Sequence, residues 1–390
     1  MEAHRSEVRA RWRSVGRYLS ARIARLHPAY FAMSMATGIV SIASNALGLH
    51  DLAELLLFIN LLMYSGLWVA IVARAAFFRG AFLADCSSHQ RGPGFFTSVA
   101  ATSVLGAQIL TLRDAPVIGL GLWILGLLLW ATCTYGILVS LSIRQEKPSL
   151  AEGINGGWLL AVVATQSICV LGCRALIDQV ADRDAALFFL TSFWLCGGML
   201  YIWMISLIFY RYTFFAFSPS DLMPPYWINM GAAAISTLAG TALVTASGDS
   251  ALMAALTPFV KGFTLFYWAT ATWWIPMLIV LGIWRHVVRK VTFAYDPLYW
   301  GLVFPLGMYC VCTYRLVAVF DLPFLLWVSR AFVVVAIIAW MLCFFGFLTQ
   351  VLSFVLLAWR ALWRPPTVDH LPLAAVTRPS ANPPSPGGPP

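Results

Sequence analysis

The sequence predicts an all-α polytopic membrane protein of ten transmembrane helices, and three observations lead to that class. Of its 390 residues 61% are hydrophobic and 11% charged, with 17 Trp and 26 Phe, more apolar mass than one soluble core absorbs. The apolar residues gather in ten runs, each near or above the ~20 residues a helix needs to cross a bilayer. Within lipid the backbone must satisfy its own polar groups, so runs of this kind read as helices. The basic residues between the runs fall mainly on one side, as a membrane topology requires.

In chain order, residues 1–27 form a basic arm with seven Arg and the interleaved aromatics Trp12 and Tyr18. The arm reads either as a short helix on the membrane surface or as a solvated cytoplasmic segment; it lacks the apolar core of a cleavable signal. The expected spans follow at 28–48, 53–77, 94–112, 116–143, 153–173, 185–210, 224–247, 258–284, 297–319 and 326–357, so that 28–357 is the membrane domain. Residues 358–390 make a Pro-rich tail, expected to be disordered. Nineteen of the 25 Lys and Arg lie in the arm, the tail and the loops that lead from even to odd spans. Only Arg113, Arg174, Arg183, Lys261, Arg315 and Arg330 lie opposite, which places both termini in the cytoplasm of a plasma membrane.

The spans alternate in kind. The odd ones carry small or polar residues: Thr37, Gly38 and Ser41; Thr102 and Gly106; Gly157 and Thr165; Gly231, Thr237 and Gly240; Gly301 and Gly307. The even ones are bulky, with runs such as LLLFINLLM and MLYIWMISLIFY. Small residues allow close helix approach, and hydroxyls at membrane depth face protein or water. Five hairpins would then place five inner helices around an axis, with those twelve small or hydroxylated residues lining a narrow conduit. The plainer alternative is that they serve helix packing alone. The GxxxG spacing of GINGG at 153–157 is a weak sign of a dimer face.

The ninth run, DPLYWGLVFPLGMYCVCTYRLVAVF at 296–320, is interrupted by Phe304-Pro305. Pro305 removes the donor that would bond the Gly301 carbonyl, and Gly301 and Gly307 leave room beside the ring. Phe304 therefore reads either as a plug standing in a passage or as a ring packed on a neighbour of a kinked helix. Near the far end of this run Arg315, with Lys261 and Arg330 on the same side, would draw anions toward a mouth, or would cap and snorkel. No Asp or Glu lies deep in an odd span, which fits cations and carboxylate relays poorly and anions well.

Catalysis has no support: HExxH, GxSxG and a phosphate-cradling Gly-Lys-Ser/Thr loop are all missing from the sequence, and no nucleotide or nucleic-acid site is expected. Seven of the eight Cys, at 133, 169, 173, 196, 310, 312 and 343, sit in or at the ends of apolar runs and read as small hydrophobes. No metal or cofactor is expected.

Four segments carry a resemblance: PAYFAMSMATGIVSIASNALG, PPYWINMGAAAISTLAG, ATWWIPMLIVLGIWRH and YDPLYWGLVFPLGMYCVCTYRL. Together they resemble the tellurite-resistance/dicarboxylate transporter family, which includes plant slow anion channels, fungal malate permeases and sulfite pumps. The resemblance covers roughly residues 28 to 357. It implies five hairpins in quasi-five-fold symmetry, assembly as a homotrimer in the lipid bilayer with one pore per protomer, and a pore-occluding Phe that falls here on Phe304. The chain looks more like the bacterial dicarboxylate and malate branch than the guard-cell branch, which implies C4-dicarboxylate transport across a bacterial inner membrane. A sulfite or tellurite exporter, a chloride or nitrate channel, and a non-conducting scaffold or sensor are the alternatives.

Overall fold

The computed structural model describes residues 16, 19–292 and 295–363, and every regular element among them is helical. Residues 19–350 form one compact body. A second unit, of residues 1–18 and 351–390, is described mainly as the C-terminal turns of the last helix. Most of the expected arm and nearly all of the expected tail lie outside the described residues.

Ten long helices make up the architecture: α1 (Ala32–Ala46), α2 (His50–Phe77), α3 (Phe96–Arg113), α4 (Pro116–Ile143), α5 (Leu160–Ala175), α6 (Arg183–Phe214), α7 (Ile228–Ala246), α8 (Ala251–Ile283), α9 (Trp300–Phe320) and α10 (Leu326–Trp363). Among the described residues nine are long and apolar enough to cross a membrane, and the exception is α1. Its Ser34, Thr37, Ser41 and Ser44 lower its hydropathy, and all four are fully buried.

The odd helices are the inner layer. Along α3, α5, α7 and α9 between 67 and 83% of residues are buried, against 22 to 44% along the even helices, and α1 is buried from Ala32 to Ser44. Each inner helix packs on the next, and α9 packs back on α1, closing a ring of five. Each is entered through a short 3-10 turn, at Pro28–Phe31, Gly92–Phe95, Gly156–Leu159, Pro224–Trp227 and Pro297–Tyr299. Proline suits this place because its missing N–H would be unpaired in a first turn anyway. Side chains of His27, Asn155 and Asp296 accept further orphan N–H groups there. The five turns also touch in sequence and close a second ring. At that level a Cβ on Gly156 would meet backbone atoms of Pro225 and Tyr226, so only glycine fits.

Two repeated devices hold the outer layer to the inner. An aromatic donor on each even helix reaches the inner helix beyond its own hairpin partner. Tyr64 pairs with Thr102 (2.8 Å), Trp130 donates to Thr165 (2.8 Å) and Trp194 to the Ser236 carbonyl (3.0 Å). Trp268 donates to Thr313 (3.0 Å), and Trp340 donates to Thr37 (2.9 Å), which brings α10 round to α1. The second device is an arginine beyond the end of an outer helix or in its last turn. Arg74, Arg144, Arg211 and Arg285 donate to the carbonyls of Ala24, Ser87, Ala151 and Leu222, each in the segment leading into the hairpin's own inner helix. Four of the one-sided basic residues thus act as staples, seated where cations also complement helix C-termini. Arg74 is 1% exposed and shares Asp85 with Arg91 (2.7 Å each).

Candidate functional site

Counting from Pro28, Pro93, Gly156, Pro224 and Pro297 puts the inner helices in common register, and residues of equal count fall on common levels. A cavity of about 370 Å³ opens along the ring axis at the helices' C-terminal ends. Ile39, Val104, Ser167, Ile235 and Met308, one from each inner helix, form its floor together with Ser103 beside Val104. Ile42, Ala107, Val170, Leu238 and Val311 form the next level, and Arg174 and Arg315 share the level above that. Thr241, Thr245, Asp178 and Arg183 complete the mouth.

Phe304 stands on the same stripe of α9 as Met308, Val311 and Arg315, one turn below the cavity floor, and is fully buried. Its level-mates are Met35, Ala100, Val163 and Gly231, and every one is buried. The neighbouring Pro305 packs on α7, where a Cβ on Gly231 would come within 2.7 Å of the proline Cγ. The cavity therefore opens at the C-terminal ends of the inner helices and stops above a level of buried side chains.

None of the twelve small or hydroxylated residues expected to line a passage borders this cavity. Thr37, Thr102 and Thr165 bond their own preceding-turn carbonyls and face the outer aromatics described above. Ser41 donates to the Ala53 carbonyl of α2, and Thr237 to that of Ala233. The glycines lie at contacts within the scaffold. Gly38 faces Val104, Asn60 and Gln108; Gly106 faces Leu171; Gly240 faces Thr264 and Trp194; and Gly307 faces Ile39. Gly157 sits by Asn155, and Gly301 opposite Pro225. Small side chains here mark where backbones approach closely, and around the cavity the inner helices present mainly medium apolar side chains.

Of the three cations expected at the mouth, Arg315 borders the cavity. Lys261 instead lies 5.8 Å over the Phe320 ring, and Arg330 is exposed on α10. Sequence reasoning passed over Arg174 and Arg183, although Arg174 stands at the same count from Gly156 as Arg315 from Pro297. Arg174 donates to Thr111 (2.6 Å) and to the Ala107 carbonyl (3.3 Å). Arg183 is held by Asp178 (3.7 Å) and the Ala246 carbonyl (2.8 Å). Among the described residues neither Arg174 nor Arg315 has a carboxylate in ion-pair range, so both charges remain available to a visiting anion. The described residues hold no cluster of three or more metal-ligating His, Cys, Asp or Glu side chains.

A closed ring of buried helices around an axial cavity with a cationic mouth, sheathed by long apolar helices, is the architecture of a membrane transporter. Comparison with known proteins gives the family: the chain belongs to the SLAC1 family of voltage-dependent anion channels, whose profile matches residues 25–348. Two transporters of Methanocaldococcus jannaschii, both named as uncharacterized, are similar along nearly their whole length. One is 24% identical over 331 residues, covering 83% of this chain and 91% of the relative. The other is 22% identical over 340 residues, covering 85% and 95%. An uncharacterized membrane protein of Mycobacterium tuberculosis is 38% identical over 149 residues, 38% of this chain and 75% of the relative. The protein is accordingly a membrane transporter of anions, from a family of channels and transporters and not of enzymes.

Proposed function

We propose that the protein passes small anions along the ring axis, with Phe304 as the barrier and Arg174 and Arg315 as the attracting charges. The observation that carries this reading is the cavity bordered by all five inner helices, which ends one turn above a fully buried phenylalanine. In this reading all ten helices cross a bacterial inner membrane as five quasi-symmetric hairpins with both termini in the cytoplasm. The one-sided basic residues support that orientation, and the family resemblance supports assembly as a homotrimer. C4-dicarboxylates such as malate are the leading substrates, because two mouth arginines on one level match two carboxylates.

One observation favours a second substrate class. The lower wall is apolar apart from the hydroxyls of Ser103 and Ser167, so it offers an ion little to replace lost water. Weakly hydrated monovalent anions of the chloride or nitrate kind lose least there. Purified protein in liposomes separates the two: malate uptake with little chloride current supports the first, and the reverse supports the second. Phe304→Ala should raise flux of the permeant anion while the protein remains monodisperse. Flux that stays at the wild-type level in that folded variant would overturn the assignment of the barrier.

A further inference from the structure

The level occupied by Phe304 is uneven. Three of its five members are small or medium, namely Gly231, Ala100 and Val163, and one other is large: Met35 of α1. Helix α1 packs directly against α9, so the two large side chains rise from adjacent staves of the ring. The direction of Met35 follows from its neighbours. Ser34 bonds Asn60 of α2 (2.6 Å), Thr37 accepts from Trp340 of α10 (2.9 Å) and Ser41 donates to Ala53 of α2 (2.7 Å), so these three mark the outer face of α1. Ile39 and Ile42, four and seven positions beyond Met35, border the axial cavity. Residues spaced by four and seven share a helix face, so Met35 continues the axial stripe downward, just as Phe304 continues that of Met308 and Val311. Met35 is fully buried and has only apolar means of holding its place.

We infer that Met35 is the second half of the axial barrier, meeting Phe304 across a level whose other members are too small to close it. This rests on the reading of Phe304 given above and adds a partner on α1. Two consequences follow from volume alone. Removing the phenyl ring leaves a flexible thioether able to lean into the vacated space, so Phe304→Ala opens the axis incompletely. Removing Met35 alone leaves the ring in place and opens it less.

Anion flux in liposomes tests this with Phe304→Ala, Met35→Ala, the double variant, and Phe304→Ala combined with Met33→Ala. Met33 is a buried methionine on the same helix but off the axial stripe, so it controls for general loosening of α1. The expected order is the double Phe304/Met35 variant several-fold above Phe304→Ala, with the Met33 combination equal to Phe304→Ala. A double variant no faster than Phe304→Ala, or a Met33 combination equally fast, overturns the role of Met35 and leaves that of Phe304 standing. Wild-type flux in all four, with the proteins folded, overturns both. Should the double variant fail to fold, Met35→Cys in the Phe304→Ala background gives a second readout. A charged, membrane-impermeant methanethiosulfonate should then block its flux well beyond any block of Phe304→Ala itself, whose native Cys173 borders the cavity, and equal flux in the two after treatment would overturn the inference.

Discussion

Gly156 offers a test of how tightly the base of the ring is built. It lies in the turn that starts the α5 segment, and a Cβ there would stand 2.7 Å from both the carbonyl carbon of Pro225 and the Cα of Tyr226, with the Pro225 oxygen closer still. All three are backbone atoms, so no rotamer change relieves the clash and the two turns must separate. Overpacking of a rigid contact costs about 1–3 kcal/mol, and the absence of a side-chain escape puts Gly156→Ala at the upper end, about 3 kcal/mol. Gly66, on the exposed face of α2, is the counterpart: a Cβ there meets nothing within 4 Å. Gly66→Ala gains helix propensity of about 0.5–1 kcal/mol with no steric debit. Heat denaturation of the purified protein in detergent, followed by loss of the monodisperse peak, should show the two variants moving in opposite directions. Gly156→Ala should fall by roughly 6–12 °C, at about 2–4 °C per kcal/mol. A Gly156→Ala protein melting with the wild type would refute the claim that the turns of α5 and α7 touch backbone to backbone.

Other expectations follow from single contacts. Arg211, 6% exposed, donates to the Ala151 carbonyl (2.8 Å) and lies 3.4 Å from Asp221, so Arg211→Gln should cost about 2 kcal/mol in the same melt. The exposed Arg79→Gln should stay within about 0.5 kcal/mol of the wild type. Arg174→Gln and Arg315→Gln should each lower anion flux more at low salt than at high, because exposed mouth charges act through a screened field. Equal loss at both salt concentrations would point to a packing role. His27 carries a pH dependence. Burial, and next the nearby Arg91, lower its pKa to about 4, against an opposing pull from Asp85 and with a further lowering from Arg74. Its Nδ1 accepts the Ala29 N–H (3.1 Å), which the protonated ring cannot do. Stability from this group is complete above pH 6.5 and falls as pH drops from 6.5 toward 4, where only the unfolded chain takes up the proton. His27→Asn, which can cap without titrating, should flatten that slope; an unchanged slope would assign it elsewhere.

The layering was legible in the sequence because bulk alternates from span to span, and the odd helices are the buried ones. The direction each inner residue faces was harder to read. Gly38, Gly106, Gly240 and Gly307 look like pore wall in a list of small residues, yet each fills a point where two elements nearly touch. A small side chain reports that something is near, without saying on which side. The information that would have resolved the direction was present in the starts of the odd spans. Aligning Pro28, Pro93, Gly156, Pro224 and Pro297 brings Ile39, Val104, Ser167, Ile235 and Met308 to one count, and Arg174 and Arg315 to another, and these are the residues around the cavity. The role of Trp130, Trp268 and Trp340 as donors to inner-helix threonines was not legible, because an apolar run gives no sign of which indole N–H finds a partner in the next hairpin.

These attachments also bear on where the fold can move. The outer helices are tied to the inner by directed hydrogen bonds at mid-depth, and the segments entering the inner helices by arginine staples at their base. Shifting a whole helix would break several such bonds at once, and each broken buried bond costs about 1–3 kcal/mol. At the level of Phe304 the side chains of Met35, Val163 and Ala100 are buried and apolar, with no polar group to bond. A rotamer change there exchanges dispersion contacts only, individually worth about 0.1–0.2 kcal/mol. In the proposed reading the ring concentrates its softness at that level, and a barrier of apolar side chains there yields while the scaffold around it stays closed.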